Sequence, residues 1–524
     1  MDTNNVEWSK IQTSGTPVPT REKPALNLSP SDTLFAAAML VCGFLYWNFI
    51  MYADMPGAGA TLFAFIIFAL TSIYLAKAGF RQNAKSLTCL TLAALSAIQF
   101  SLFDNAFIAF LNFIFLSALF VYWICLTTGR RIDSTLSHYF LSDMIQQGII
   151  VPFLNFGTGA IALAQIPRKQ NAKSFLLAIT GVIIVLPILL AVLSLLISAD
   201  SAFEAVVNRA FQSMQISAIV PYMWQFVFGL PVALYLFGLI YGNMRARYTD
   251  ILTKESVDQS ALLARIAPKV MVYSALAAFN FLYLIFFAAQ TIYIFSALNG
   301  ILPETFTYAE YARRGFFELC AVAGINLAIV LVSHLIIRRE LHESPRVLRI
   351  ATVILSFFTS LLIVTALSKM LMYIGAYGLT QLRIYTSWFM ILMFFIFAVI
   401  SVRQLKAFNS SRVIIIGFVT LFLLLAYGNI DGIIARYNIQ QYESGALSEL
   451  DVKALNRLSD GAIAPMYEAF KNLDVSNEKN SNLKHELFGI IKREPTYGTH
   501  DFRSFNYQRF QARKIQSEIR WEMN

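Results

Sequence analysis

"AFIAFLNFIFLSALFVYWICL" (Ala106–Leu126) contains no charged side chain, and Asn112 and Ser117 are its main polar interruptions. A helix of about 20 mostly apolar residues is what a bilayer's hydrocarbon core requires. This stretch is therefore read as a membrane span. Just past its end stand Arg130 and Arg131, the kind of basic flank that orients spans.

The rest of the chain agrees. Of 524 residues, 57% are hydrophobic and only 14% charged, whereas soluble domains carry about 25% charged residues. A soluble core cannot absorb that much apolar surface, so lipid must solvate most of the chain. The net charge of +10 would suggest nucleic acid in a soluble protein. Here basic loops between spans account for it, and no nucleic-acid partner is expected. Cys42, Cys89, Cys125 and Cys320 all lie in apolar runs without CxxC spacing, so neither a zinc site nor a disulfide framework is indicated. No HExxH, GxSxG or P-loop pattern occurs, and no cofactor or metal is implied.

Eleven spans are expected: Leu34–Tyr52, Thr61–Ala76, Leu87–Phe103, Ala106–Leu126, Phe175–Ser198, Ile216–Tyr241, Val270–Ala297, Phe316–Ile337, Ile350–Leu367, Ile384–Val402 and Val413–Tyr427. Gly148–Ile166 is apolar too, but Pro152, Asn155, Gly157 and Gly159 interrupt it. It reads as a re-entrant or surface segment. The fold class is an all-α polytopic membrane bundle: a polar tail over 1–30, the bundle over 31–429, and a helical C-terminal region over 430–524.

Lysine and arginine set the orientation. Residues 55–60 and 104–105 hold none, and 199–215 hold only Arg209. The intervening loops are rich: Lys77, Arg81 and Lys85; then Arg130, Arg131, Arg168, Lys169 and Lys173; then Arg245, Arg247, Lys254, Arg265 and Lys269. The alternation places the N-terminus in the cytoplasm and, with an odd number of spans, the C-terminal region outside. That region closes with "DFRSFNYQRFQARK", basic and aromatic together. It suits either lipid headgroups or a helix packed on the bundle with arginine stems over aromatics.

Two groups could carry chemistry on the cation-poor side. In "EYARRGFFELCAVAGIN", Glu310, Arg314 and Glu318 follow at intervals of four, one helical face, with Arg313 beside them. Asn326 lies about 12 Å deeper along the same helix. The plainer reading is an interfacial ion-pair stripe. The second group is Lys369, Tyr373, Tyr377 and Arg383, within "SKMLMYIGAYGLTQLRIYTSW". Scarce cations beside tyrosines, near Glu318's layer, make a reasonable anion or zwitterion site. Asn112, Asn280 and Asn326 each sit in an apolar run, where bonding between helices is the ordinary role. Pro231 falls inside a span and permits a cavity or hinge. "GLIYG" (Gly238–Gly242) permits close helix packing.

Four stretches together, "YAEYARRGFFELCAVAGINL", "MYIGAYGLTQLR", "NIDGIIARYNIQQY" and "LISADSAFE", resemble a family of bacterial polytopic membrane proteins known as a domain of unknown function, the 4153/4173-like group. The resemblance runs from about Leu87 onward. It implies a bacterial cytoplasmic-membrane protein and supplies no activity or catalytic residue.

Three functions remain open at this point. The first is binding or transport of a small polar or anionic ligand through the outer-leaflet residues named above. The second is a membrane-anchored sensor or assembly factor holding an envelope protein partner through its external tail. The third, an enzyme acting on lipid-linked substrates, lacks a paired catalytic motif.

Overall fold

The computed structural model describes residues 26–165 (Tyr52 and Asp54 excepted), 185, 188–189, 192–204, 206–207, 216–298, 316–338, 345–473, 478–493 and 501–522. Helix α1 (Pro30–Tyr46), continued by a π-helical turn Trp47–Met51, is followed by α2 (Ala58–Lys77), α3 (Ala84–Leu102), α4 (Ala106–Thr128) and α5 (Phe140–Ala164). Next come α6 (Ile216–Met244), the short polar α7 (Lys254–Leu263), α8 (Lys269–Leu298) and α9 (Phe316–Ile336). The bundle closes with α10 (Arg346–Tyr377), α11 (Gln381–Leu405) and α12 (Ser410–Tyr427). Among the described residues, 11 helices are long and apolar enough to cross a membrane.

Side chains at the helix starts explain several boundaries. Ser29, Asn83, Asn105, Thr380 and Asn409 each accept a bond from a backbone N–H in the first turn of the following helix, satisfying donors that have no intrahelical partner. Gly129 ends α4 with φ +69°, a conformation that favours glycine.

Among the described residues, ten of the eleven expected spans are present, and the eleventh helix of this kind is one the sequence did not count. Phe175–Ser198 lies mostly outside the described residues. Residues 148–164 of the apolar segment expected to be interrupted are helical and belong to α5, which carries a π-helical turn at Gln146–Ile150 and a break at Asn155. Gln146 donates to the carbonyl of Tyr248, and Asn155 donates to the carbonyl of Arg247 at 3.4 Å. The helix between them advances about 13 Å, yet it bonds to two consecutive residues. This part of α5 therefore crosses the end of α6 rather than running alongside it. The glycines of "GLIYG" make room for the crossing. A Cβ on Gly238 would stand 2.5 Å from the Pro152 carbonyl oxygen, and one on Gly242 2.5 Å from a Val151 methyl.

Helices α1 and α6 approach even more closely. A Cβ on Gly43 would overlap the Gly229 carbonyl, and one on Gly229 would stand 2.6 Å from the Gly43 carbonyl oxygen. Gly43→Ala is expected to cost about 1–3 kcal/mol through forced separation, read as a lower Tm in detergent. Gly375→Ala, which meets nothing within 4 Å, is the control and should be neutral or stabilising. Equal Tm values for Gly43→Ala and wild type would contradict the close contact.

The helices connect two chemically distinct ends. At one, Arg245 pairs with Asp32 at 2.9 Å, Tyr74 donates to Asp32 at 2.7 Å, and Tyr139 donates to Asp258 at 2.6 Å. The Asn409 amide donates to the Leu136 carbonyl at this same end. This end gathers Arg130, Arg131, Arg245 and Arg247 of the described basic loops. At the opposite end lie the short connections around 55–57, 103–105 and 378–380, and the C-terminal region rests on them. The Ala58 N–H donates to the Phe505 carbonyl at 2.8 Å, and the Asn506 amide donates to the Phe100 carbonyl at 2.9 Å.

That region comprises α13 (Ile430–Glu443), α14 (Ile463–Asn472), α15 (Glu478–Ile491) and α16 (Tyr507–Glu522). Its buried residues, among them Ile434, Met466 and Leu487, continue the core that Phe422 and Leu425 of α12 share with α1–α4 and α6. A second core joins α8, α9, α10 and α11.

Candidate functional site

Glu310, Arg313 and Arg314 lie outside the described residues. Glu318 is exposed in the first turn of α9. Asn326, on the same helix, is 0% exposed. Tyr283 of α8 donates to its Oδ1 at 2.8 Å, and its Nδ2 donates to Thr359 of α10 at 2.9 Å. Ala323 and Val330, one turn to either side, are buried. Asn326 thus joins three helices in a packed core. Asn112 likewise bonds Ser96 and Gln99, and Asn280 donates to the Ala351 carbonyl.

The second group is partly assembled. Helix α10 runs on past Lys369, which is half-buried, to Tyr377 and stops at Gly378 with φ +74°. Arg383, in the first turn of α11, donates to the carbonyl of Tyr377 at 3.0 Å and to that of Gly378. Its guanidinium stands 4.1 Å from the centroid of the Tyr373 ring, and Tyr373 meets Tyr377 edge-on at 5.1 Å. Arginine is well suited to the unpaired carbonyls at a helix C-terminus and to an aromatic face. The corner therefore already satisfies much of the Arg383 charge.

A larger polar assembly lies where the C-terminal region meets the bundle. Asp104 closes the α3–α4 connection, and Arg509 of α16 reaches it through Nε at 2.9 Å and through Nη2 at 2.5 Å. Only 5% of the Asp104 side chain and 3% of the Arg509 side chain remain exposed. The Asp104 backbone N–H donates to Gln508 at 2.7 Å, and the Asp460 N–H donates to Asp104 Oδ2 at 3.4 Å. Asp431, in the first turn of α13, is also buried. It accepts from Asn105 at 3.1 Å, from Gln381 at 2.6 Å, from the Ser459 N–H at 3.2 Å and from the Ser459 hydroxyl at 2.5 Å. A carboxylate at a helix N-terminus also meets the positive end of the helix dipole. Asn105 in turn accepts from Tyr385 of α11 at 3.1 Å.

Beside this network opens a polar cleft of about 180 Å³ lined by Asn429, Arg436, Asp460, Glu468, Gln508 and Gln511. Arg436 and Glu468 face each other across its exposed rim at 3.7 Å. A neighbouring recess shares Asn429, Arg436 and Pro465. Asn429 is placed at this junction by a left-handed backbone, φ +41°, from which its side chain caps α13. Burial, and then the nearby Asp104 charge, push the Asp460 carboxyl up to about 6, against the opposing pull of Arg509, Arg493 and Arg513. Amide donors and acceptors, a guanidinium and carboxylates thus converge on one small volume. Among the described residues no cluster of histidine, cysteine and carboxylates could hold a metal ion.

Sequence reading treated Asp104 and Asn105 only as a cation-free connection, and passed over Asp431, Asp460 and Arg509. Two signals pointed to them: carboxylates gathered on the cation-poor side, and the arginines of "DFRSFNYQRFQARK" needed partners there.

Residues 87–469 match the family described as "Domain of unknown function (DUF4153)". No curated protein and no solved structure matches the chain.

Proposed function

The chain belongs to the DUF4153 family, and from that premise we propose that it is a membrane-anchored binding protein for a small polar, zwitterionic ligand. Its cleft lies at the junction of the C-terminal region and the bundle, and ligand binding is coupled to the docking of that region. The observation that carries this reading is the cleft itself, with Arg436 and Glu468 at its rim and buried Asp460 at its base. A path across the bundle at Asn326 is less well supported, because that asparagine's side-chain oxygen and nitrogen are both bonded within packed apolar side chains. The membrane is the bacterial cytoplasmic membrane, with the N-terminus inside and the cleft outside, as the distribution of lysine and arginine supports.

The test is a thermal-shift screen in detergent with amino acids, short peptides, sugars and organic anions. At least one zwitterion should raise Tm, and Glu468→Gln with Arg436→Gln should abolish that rise. If no compound shifts the wild type, or the shift survives both changes, the reading fails. A shift lost instead on Lys369→Ala or Arg383→Ala would move the site to the α10–α11 corner. For orientation, a cysteine introduced at Ser481 should react with an impermeant reagent in intact spheroplasts.

The junction also has a pH signature. Asp460 titrates near 6 when docked and near the ordinary aspartate value of about 3.9 when released. Above both values it is charged in either state, and the docked state bears the cost of the buried charge. As pH falls through 6 the docked form takes up a proton first, so docking strengthens between about pH 6 and 4 and then levels off. Asp460→Asn should remove this window and strengthen docking at pH 7.5 by on the order of 1–3 kcal/mol. Hydrogen exchange of α16 against pH measures it. An unchanged pH profile in the variant would assign the effect elsewhere.

A second reading, an assembly factor, is favoured by one observation: Phe502, Phe505, Tyr507 and Phe510 are all exposed on the C-terminal region. Deleting the chain from Leu447 should then release a co-purifying envelope protein.

A further inference from the structure

We propose that the bundle holds one acyl chain of a membrane phospholipid in an apolar cleft between α1, α2, α4 and α6. The cleft, about 390 Å³ in volume, is independent of the polar junction. Helix α2 faces it with Ala60, Phe63, Ala64 and Phe68, and α4 with Phe113, Ser117 and Val121. Each set follows the i, i+3, i+4, i+7 or i+8 spacing of a single helix face. Two stripes of that length run about 12 Å along the bundle, so the space is a slot parallel to the spans. The Pro231 ring of α6 completes this lining. Phe153 lines the slot yet remains 60% exposed, and Ser117 is also exposed. The slot is therefore open sideways, toward the hydrocarbon that surrounds the spans.

Its occupant follows from what it lacks. A bound water needs two to four polar partners, and of the hydroxyls on the lining Ser117 and Tyr235 spend theirs on the Phe113 and Gly148 carbonyls, which leaves that of Tyr46. Water is thus poorly held, and an unfilled space of this size forfeits packing on every wall. Lipid hydrocarbon is the matching partner at that depth. One end is roofed by the C-terminal region. A Cβ on Gly59 would stand 3.1 Å from the Arg503 carbonyl oxygen, and Ala60 packs with buried Phe100, whose carbonyl accepts from Asn506. Arg503 donates to Asn48, two residues before Ile50 of the slot's lining. The phospholipid headgroup accordingly lies at the layer of Asn48 and Arg503, with its chain directed down the slot.

The test is native mass spectrometry of the full chain after exhaustive detergent exchange. Wild type should retain one phospholipid. Ala64→Phe and Ser117→Phe, which place a ring in the slot, should lower the retained fraction at least about tenfold, since each displaced methylene is worth about fourfold in binding. Leu62→Phe, on the outward face of α2, should retain it. A wild type that retains none, or filled variants that retain as much as wild type, overturns the proposal. If the filled variants do not fold, wild type in nanodiscs with a phospholipid bearing a diazirine at its chain terminus decides the matter. Crosslinks on Phe63, Ala64 and Phe113 support the slot; crosslinks confined to Leu62, Phe65 and Ile114 overturn it.

Discussion

Arg509→Met is expected to undock α16 from the bundle and destabilise the C-terminal region by about 3–5 kcal/mol, the usual cost of leaving one member of a buried ion pair unpaired. The physical reason is local. Asp104 lies 5% exposed at the α3–α4 connection and receives two N–H groups from Arg509. Methionine fills much of the same volume but leaves that carboxylate without its countercharge. The remaining contacts to Asp104 are the N–H of Asp460 at 3.4 Å and its own N–H bond to Gln508, too little to solvate a full charge. Hydrogen exchange should show the α16 amides losing protection, while those of α8–α10, in a separate core, keep theirs. The double variant Asp104→Leu/Arg509→Met should recover most of the loss, because well-packed apolar residues often replace a buried pair without penalty. Unchanged exchange in Arg509→Met, or no recovery in the double variant, would mean that the pair does not hold the region.

Asp431→Ala is expected to cost about 3 kcal/mol or more in Tm measurements on the whole protein. Four donors converge on this carboxylate: the Asn105 and Gln381 amides and both donors of Ser459. Each buried donor left without an acceptor costs roughly 1–3 kcal/mol, less whatever water recovers. The donors come from the α3–α4 connection, the start of α11 and the loop before α14, so one substitution loosens three contacts at once. Gln381→Leu in the same chain should restore part of the loss by removing one orphaned donor. Were Asp431→Ala as stable as wild type, the network would be dispensable, and the cleft beside it would have no fixed base.

How much of this was readable beforehand differs by element. Ala106–Leu126 identified a span that the structure extends only to Thr128. The stop after Tyr377 falls at Gly378, whose φ of +74° suits glycine. Segment 148–166 was harder. Its proline, asparagine and glycines signalled interruption, and the helix does break at Asn155; the two halves stay together where Asn155 and Gln146 find partners on the segment after α6. The deep polar residue of the proposed track, Asn326, could be placed by helical spacing, yet spacing says nothing about whether Tyr283 and Thr359 stand opposite it.

Hydropathy and charge are sums over neighbouring residues, and they were enough to specify the membrane bundle, ten of the eleven candidate spans among the described residues and the two unlike loop sets. The junction is another matter. Asp104 and Arg509 are separated by 405 residues, and Asn105 and Asp431 by 326. A buried charge is tolerated only where a partner is delivered in three dimensions, and no local pattern encodes that delivery. Tertiary structure alone brought the aspartates, the arginine and the polar cleft together, because the apolar faces of α12–α16 had to be buried against the end of the bundle where those carboxylates already stood.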